Sequence, residues 1–208
     1  MTTNEVIFDG NTPLDFLVQE AENGNPEAQD FLGKRYYGER YYRNRSKEAS
    51  RNYTVVVKWL HKAAEQGGAL AQHNLARHYF LGNGVPEDRV KAVEWFRKAA
   101  EQGHADAQCM LGTRYCSGDG VTIDTTESVR WWRKAAEQGH GVAQLNLGMH
   151  YDYGEDVPKD YVEAVKWYQK AAEQGDARTA KIAQERLQEM KWKKSSIEQR
   201  KFLFESQQ

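Results

Sequence analysis

The sequence predicts an all-α protein, an α-solenoid of helix pairs with a 36-residue period. Three observations carry that prediction. The pentapeptide AAEQG stands at 63–67, 99–103, 135–139 and 171–175, each copy 36 residues after the last. Between copies, Ala, Leu and Tyr recur at a spacing of four, which places them on one helical face. Glycine-bearing turns then break the pattern at a fixed point in three of the four units. A fixed period of this length is the mark of stacked helix pairs.

The elements follow in chain order. A leading helix is expected from Pro13 to Asn23, with Thr12 as N-cap and Pro13 in the first turn. Gly24, Gly67, Gly103 and Gly139 each mark the start of a repeat. Four residues past the marker stand Ala28, Ala71, Ala107 and Ala143; eight past it stand Leu32, Leu75, Leu111 and Leu147; twelve past it stand Tyr36, Tyr79, Tyr115 and Tyr151. This is the packed face of a first helix. The turns GNGVP (82–86), GDGVT (118–122) and GEDVP (154–158) end it. A second helix follows, with Asp124 and Glu127, and Asp160 and Glu163, at capping-box spacing. Its core positions are Trp59 and Leu60, Trp95 and Phe96, Trp131 and Trp132, Trp167 and Tyr168. AAEQG closes it: alanines favour helix and pack tightly, Glu and Gln are read as solvated, and Gly ends the helix in the left-handed conformation.

The first repeat is seven residues longer than the others. The surplus falls within GERYYRNRSKEASRNY (38–53), and two extra turns of the second helix, beginning near Ser46, would absorb it. Five basic residues and three tyrosines in that stretch offer a weaker reading as a single-strand nucleic-acid contact. A terminal helix is expected from near Ala177, with Ala183 in place of the Leu and Leu187 in place of the Tyr. Residues 193–208 read as frayed or as a short extra helix, and KFLF (201–204) as an apolar segment that folds back or covers a second copy. The organisation expected is therefore an N-terminal segment (1–12), a solenoid (13–187) and a helical tail (188–208).

These motifs resemble the Sel-one-like repeat (SLR) family of the tetratricopeptide-repeat-like superfamily. The likeness rests on A-x-x-x-L-G-x-x-Y, G-x-G-V, A-V-x-W and K-A-A-E-Q-G, present as AQCMLGTRYCSGDGV (107–121) and AVKWYQKAAEQG (164–175). It implies a right-handed superhelix of antiparallel helix pairs, and a scaffold or adaptor, bacterial in type, that holds other proteins. It also offers alternatives. One is an enzyme of β-lactamase type, as suggested for cysteine-rich relatives, although those carry cysteine pairs repeat after repeat and this chain has two cysteines in all. Another is an immunity-type repeat protein that neutralises a toxin.

Composition bounds the function further. Lys and Arg total 29 against 30 Asp and Glu, a net charge of −1, which gives no general attraction to nucleic acid or anionic membrane. No apolar run reaches the roughly 20 residues of a membrane span. The start, MTTNEVIFDG, does not read as a secretion signal. Cys109 and Cys116, if on one helix, lie about 10 Å apart, too far for a disulfide. A reduced, cytoplasmic protein is expected. His104 and His140 fall in equivalent turns, about 10 Å or more apart, too far to share a zinc ion. No nucleophile, P-loop or metal motif has the spacing catalysis needs, so a non-enzyme without cofactor is expected.

The candidate site is the side of the first helix that varies between repeats, which similarity to tetratricopeptide repeats makes the concave groove. The residues assigned to it are Lys34, Arg35, His73, Asn74, Arg77, His78, Cys109, Thr113, Arg114, Leu145, Asn146, Met149 and His150. Their changing character suits an extended peptide or a partner helix. Arg35, His78, Arg114 and His150 form a row expected to be positive, more so below neutral pH, and to favour acidic segments. Asn74 and Asn146 are placed to bond a peptide backbone.

Overall fold

The computed structural model describes residues 12–25, 27–28, 31–32, 47–154 and 158–205, and among these all regular structure is helical. The helices are α1 (Leu14–Glu22), α2 (Lys47–Glu65), α3 (Ala69–Leu81), α4 (Arg89–Glu101), α5 (Ala105–Ser117), α6 (Thr125–Glu137), α7 (Gly141–Tyr153), α8 (Tyr161–Gln174) and α9 (Ala177–Glu205). Residues 27–28 and 31–32 are helical as well. The chain divides into two compact units, Met1–Ile123 and Asp124–Gln208.

In the first unit, α2, α3, α4 and α5 pack in succession. The pairing is antiparallel. The amide of Asp88, before α4, bonds the carbonyl of Tyr79 near the end of α3, while Gln102, after α4, reaches Gln72 near the start of α3. The core joins Val56, Leu60 and Ala64 of α2 to Ala71 and Leu75 of α3, with Tyr79 and Trp95 against it. A second cluster unites Leu17 and Ala21 of α1 with Ala28, Leu32 and Trp59.

The second unit repeats the arrangement. Asp160, before α8, bonds the carbonyl of Tyr151 on α7, and Gln174 of α8 meets Gln144 on α7. The start of α9 closes this unit, packing Ala183 and Met190 with Leu145, Ala164, Tyr168 and Ala171.

The pentapeptide has a precise backbone role. The Gly103 amide bonds the Ala100 carbonyl and the His104 amide bonds the Ala99 carbonyl. These are the two reversed bonds of a Schellman motif, so the paired alanines supply the last carbonyls and glycine the left-handed residue. Gly67, Gly103 and Gly139 have φ of 94°, 90° and 86°. The fourth copy departs from the expectation: Gly175 has φ −73°, because α8 runs one residue further and its amide bonds Ala171 four residues back.

Several boundaries differ from the sequence reading. Pro13, not Thr12, is the N-cap of α1, and no side-chain cap bond forms there. The tail is neither frayed nor separate along its described length: α9 continues unbroken to Glu205. The long first repeat behaves as expected, with α2 starting at Lys47 and spanning 19 residues where α4 and α6 span 13. Asp124 and Asp160 cap α6 and α8 through the amides of Glu127 and Glu163, and Asp88 caps α4 in the same way through Lys91.

Candidate functional site

The first helices of the repeats are buried around most of their circumference. On α3 the buried residues are Ala71, Gln72, His73, Asn74, Leu75, Ala76 and His78. On α5 they are Ala107, Gln108, Cys109, Leu111, Gly112, Arg114 and Tyr115, and on α7 Ala143, Gln144, Leu145, Leu147, Gly148, His150 and Asp152. Tyr36 lies outside the described residues, and Tyr79 and Tyr151 are half-buried. The described Ala and Leu positions sit inside as expected, as does Tyr115. So do many residues assigned to an open groove: His73, Asn74, His78, Cys109, Arg114, Leu145 and His150 are each at most 8% exposed. Arg77, Thr113, Asn146 and Met149 are half-buried. Lys34 and Arg35 lie outside the described residues.

The row expected to be positive is a packed seam at its described positions. His78 is 2% exposed; its Nδ1 lies 2.8 Å from the Asn83 carbonyl and its ring meets Tyr53 edge-on. Burial lowers its pKa, with the neighbouring Arg77 charge acting in the same direction and the Asn83 bond opposing them. His78 therefore resists charging on mild acidification, contrary to the sequence reading. Arg114 lies over the Phe80 ring at 4.2 Å and donates to Asp119 at 3.1 Å, and the same carboxylate accepts from Arg89 at 2.7 Å. Its charge is committed within the first unit. Arg77 differs. Desolvation lowers its pKa and Asp106 opposes the effect, but its side chain stays half-accessible.

Three contacts that repeat from unit to unit were not read from the sequence. The first is a buried glutamine. Gln72, Gln108 and Gln144 donate Nε2 to the carbonyls of Ala64, Ala100 and Ala136, the second alanine of each preceding pentapeptide. The pentapeptide glutamine is not merely solvated either, since Gln102 donates to Gln72 at 2.7 Å and Gln174 accepts from Gln144 at 2.6 Å. Replacing Gln108 with Leu is expected to cost about 1–3 kcal/mol, because the Ala100 carbonyl loses a buried donor; urea denaturation of the two proteins measures it.

The second contact is a lysine over each repeat tryptophan. The ammonium groups of Lys62, Lys98, Lys134 and Lys170 lie 4.5, 3.9, 4.4 and 4.5 Å from the rings of Trp59, Trp95, Trp131 and Trp167. A W-x-x-K spacing was the signal, one helical turn apart. The third joins the repeat tyrosine to the helix before it: Tyr79 to His61 at 2.8 Å, Tyr115 beneath Arg97, and Tyr151 to Arg133.

The turn histidines have a defined task. His104 accepts from the Ala107 amide and His140 from the Ala143 amide, each through Nδ1, so both cap the helix that follows. Cys109 and Cys116 share α5, Cys109 buried and Cys116 exposed. Among the described residues no three His, Cys, Asp or Glu side chains could jointly hold a metal ion, and no helix is long and apolar enough to cross a membrane.

Comparison with known proteins gives the family. The Sel1 repeat model matches residues 26–68, 69–104, 105–140 and 141–176. Among solved structures, the chain is similar to a protective antigen of uropathogenic Escherichia coli strains that displays an SLR fold. The identity is 43% and the TM-score 0.71, over 81% of this chain and 35% of that one. It is also similar to a Sel1 repeat protein from Oxalobacter formigenes, at 34% identity and TM-score 0.68, over 80% of this chain and 65% of that one. The chain thus spans about a third of the first relative and about two-thirds of the second. No curated protein matches it significantly. The repeat boundaries coincide with the helix pairs described above, and the architecture is the all-α repeat class expected from the 36-residue period.

Proposed function

The chain belongs to the Sel1 repeat family, and we propose that it is a non-enzymatic scaffold that holds an extended segment or a helix of a partner protein. Sel1 repeat proteins generally mediate contacts between proteins and are generally not catalytic. The observation that carries the reading for this chain is Arg77. It is only half-buried on a helix with seven of its 13 residues buried, while Arg114 in the next repeat pairs with Asp119. Thr113, at the position of Arg77 in the next repeat, is half-buried as well. Within the first unit Arg77 and Thr113 stand at matching register; the Thr113 hydroxyl donates to the Cys109 carbonyl at 3.0 Å, and the Arg77 cation suits an acidic segment. In the second unit Asn146 and Met149 are the half-buried pair, suited to a mixed polar and apolar contact. We place the solenoid proper at 13–187. A homo-oligomer through KFLF would form on side chains outside those described.

The test separates recognition from folding. Arg77→Gln is expected to weaken capture of a partner from the native cell by about tenfold, while changing stability by less than about 1 kcal/mol. Arg114→Gln should lower stability by more, since it takes one of two cationic partners from Asp119 and the nearer of two from Phe80. Equal capture by wild type and Arg77→Gln would refute the assignment of this face.

A further inference from the structure

We propose that the neutral imidazole of His104 is a pH-sensitive latch on the N-terminus of α5, closed near neutral pH and released on mild acidification. The argument begins with the cap. His104 is extended, at φ −65° and ψ 110°, and its carbonyl accepts the first bond of the helix from Gln108. Its Nδ1 accepts from the Ala107 amide at 3.3 Å. To accept, Nδ1 needs its lone pair, so the proton of the neutral ring sits on Nε2. Protonation turns both nitrogens into donors. The cap bond is then lost, and a positive charge stands at the positive end of the helix dipole.

A second imidazole sharpens the effect. The ring of His73 on α3 stacks on that of His104, with centroids 4.8 Å apart and planes at 18°, and His73 is 5% exposed. Positive charges on two rings stacked this closely repel, so the pair disfavours carrying two protons at once. Three helices contribute charged, aromatic and polar groups near the pair. From α3 come His73 and, one turn on, Arg77. From α4 come the Phe96 ring against His73 and the Ala99 carbonyl on the His104 amide. From α5 comes Asp106, whose charge interacts with Arg77.

The chain supplies its own comparisons. His140 caps α7 in the same way, through the Ala143 amide at 3.2 Å. The helix α9 is capped instead by Asp176, whose Oδ1 accepts from Thr179 at 2.7 Å. That bond, with others to the same carboxylate, lowers its pKa, so this cap keeps its charge through mild acid.

Amide hydrogen exchange, corrected for intrinsic rates, tests the latch at about pH 7.5 and about pH 5.5. In the wild-type protein, protection over residues 105–108 is expected to fall about fivefold at the lower pH, the loss of one N-cap. His104→Asn keeps a strong cap with no proton to gain, and protection there should no longer depend on pH. His104→Ala should be weakly protected at both values. Residues 177–180, behind Asp176, should not change in any of the three. Protection at 105–108 that is independent of pH in the wild type, or that falls equally in His104→Asn, would overturn the proposal.

Discussion

Replacing Trp131 with Ala is expected to destabilise the protein by about 3–5 kcal/mol, the range for a large aromatic removed from a core. Trp131 is 3% exposed, so its ring is almost wholly withdrawn from water. Its Nε1 donates to Glu127 one turn earlier at 3.0 Å, and Lys134 one turn later covers the ring. The substitution therefore removes three things at once: buried area, the partner of a first-turn carboxylate, and the surface on which the lysine lies. Burial dominates, since the indole contacts far exceed in sum one exposed cation–π pair. Urea denaturation gives the number. A loss below about 1 kcal/mol would mean that the indole spine does not hold the repeats together.

The features legible in the sequence were those repeated in kind. Ala and Leu at a spacing of four had to be inside whatever the details, and the structure puts them there, with the described tyrosines buried or half-buried beside them. The early start of α2 followed from counting, because a surplus of seven residues with helix-forming character is most simply wound into the helix already present. The face reading was less successful, and the reason is physical. A period analysis assumes that a helix has one buried side and one wet side. That holds for α4 and α6, but α3, between α2 and α4, and α7, between α6 and α8, are enclosed more widely. Variation between repeats then marks different ways of filling a seam, not an open surface: His73 stacks, Cys109 packs, and Arg114 pairs with Asp119. Buried glutamine is concealed for a related reason. Gln72, Gln108 and Gln144 look like solvent residues until the Ala64, Ala100 and Ala136 carbonyls are seen to need a donor.

Gly120→Ala is expected to cost about 2–5 kcal/mol, the sum of a left-handed penalty and a backbone displacement. Gly120 has φ +78°, and a Cβ there would lie 2.2 Å from the Arg89 carbonyl oxygen and 2.5 Å from its carbon. These are backbone atoms at the first residue of α4, so no rotamer change relieves the contact. The previous repeat uses the same device, with a Cβ on Gly84 falling 2.5 Å from the Tyr53 carbonyl carbon. The G-x-G-V turn is thus the place where one repeat's loop touches a second helix of the repeat before it, at the first residue of α4 in one case and at Tyr53 within α2 in the other. Pushing Arg89 away would also disturb the carboxylate it shares with Arg114. Gly103→Ala is the control. Gly103 has φ +90° but nothing within 4 Å of a Cβ, so only the conformational penalty of about 1 kcal/mol applies. The difference between the two substitutions, read from chemical denaturation, isolates the close approach. Equal losses would show that the turn yields freely and that the spacing of the repeats is set elsewhere.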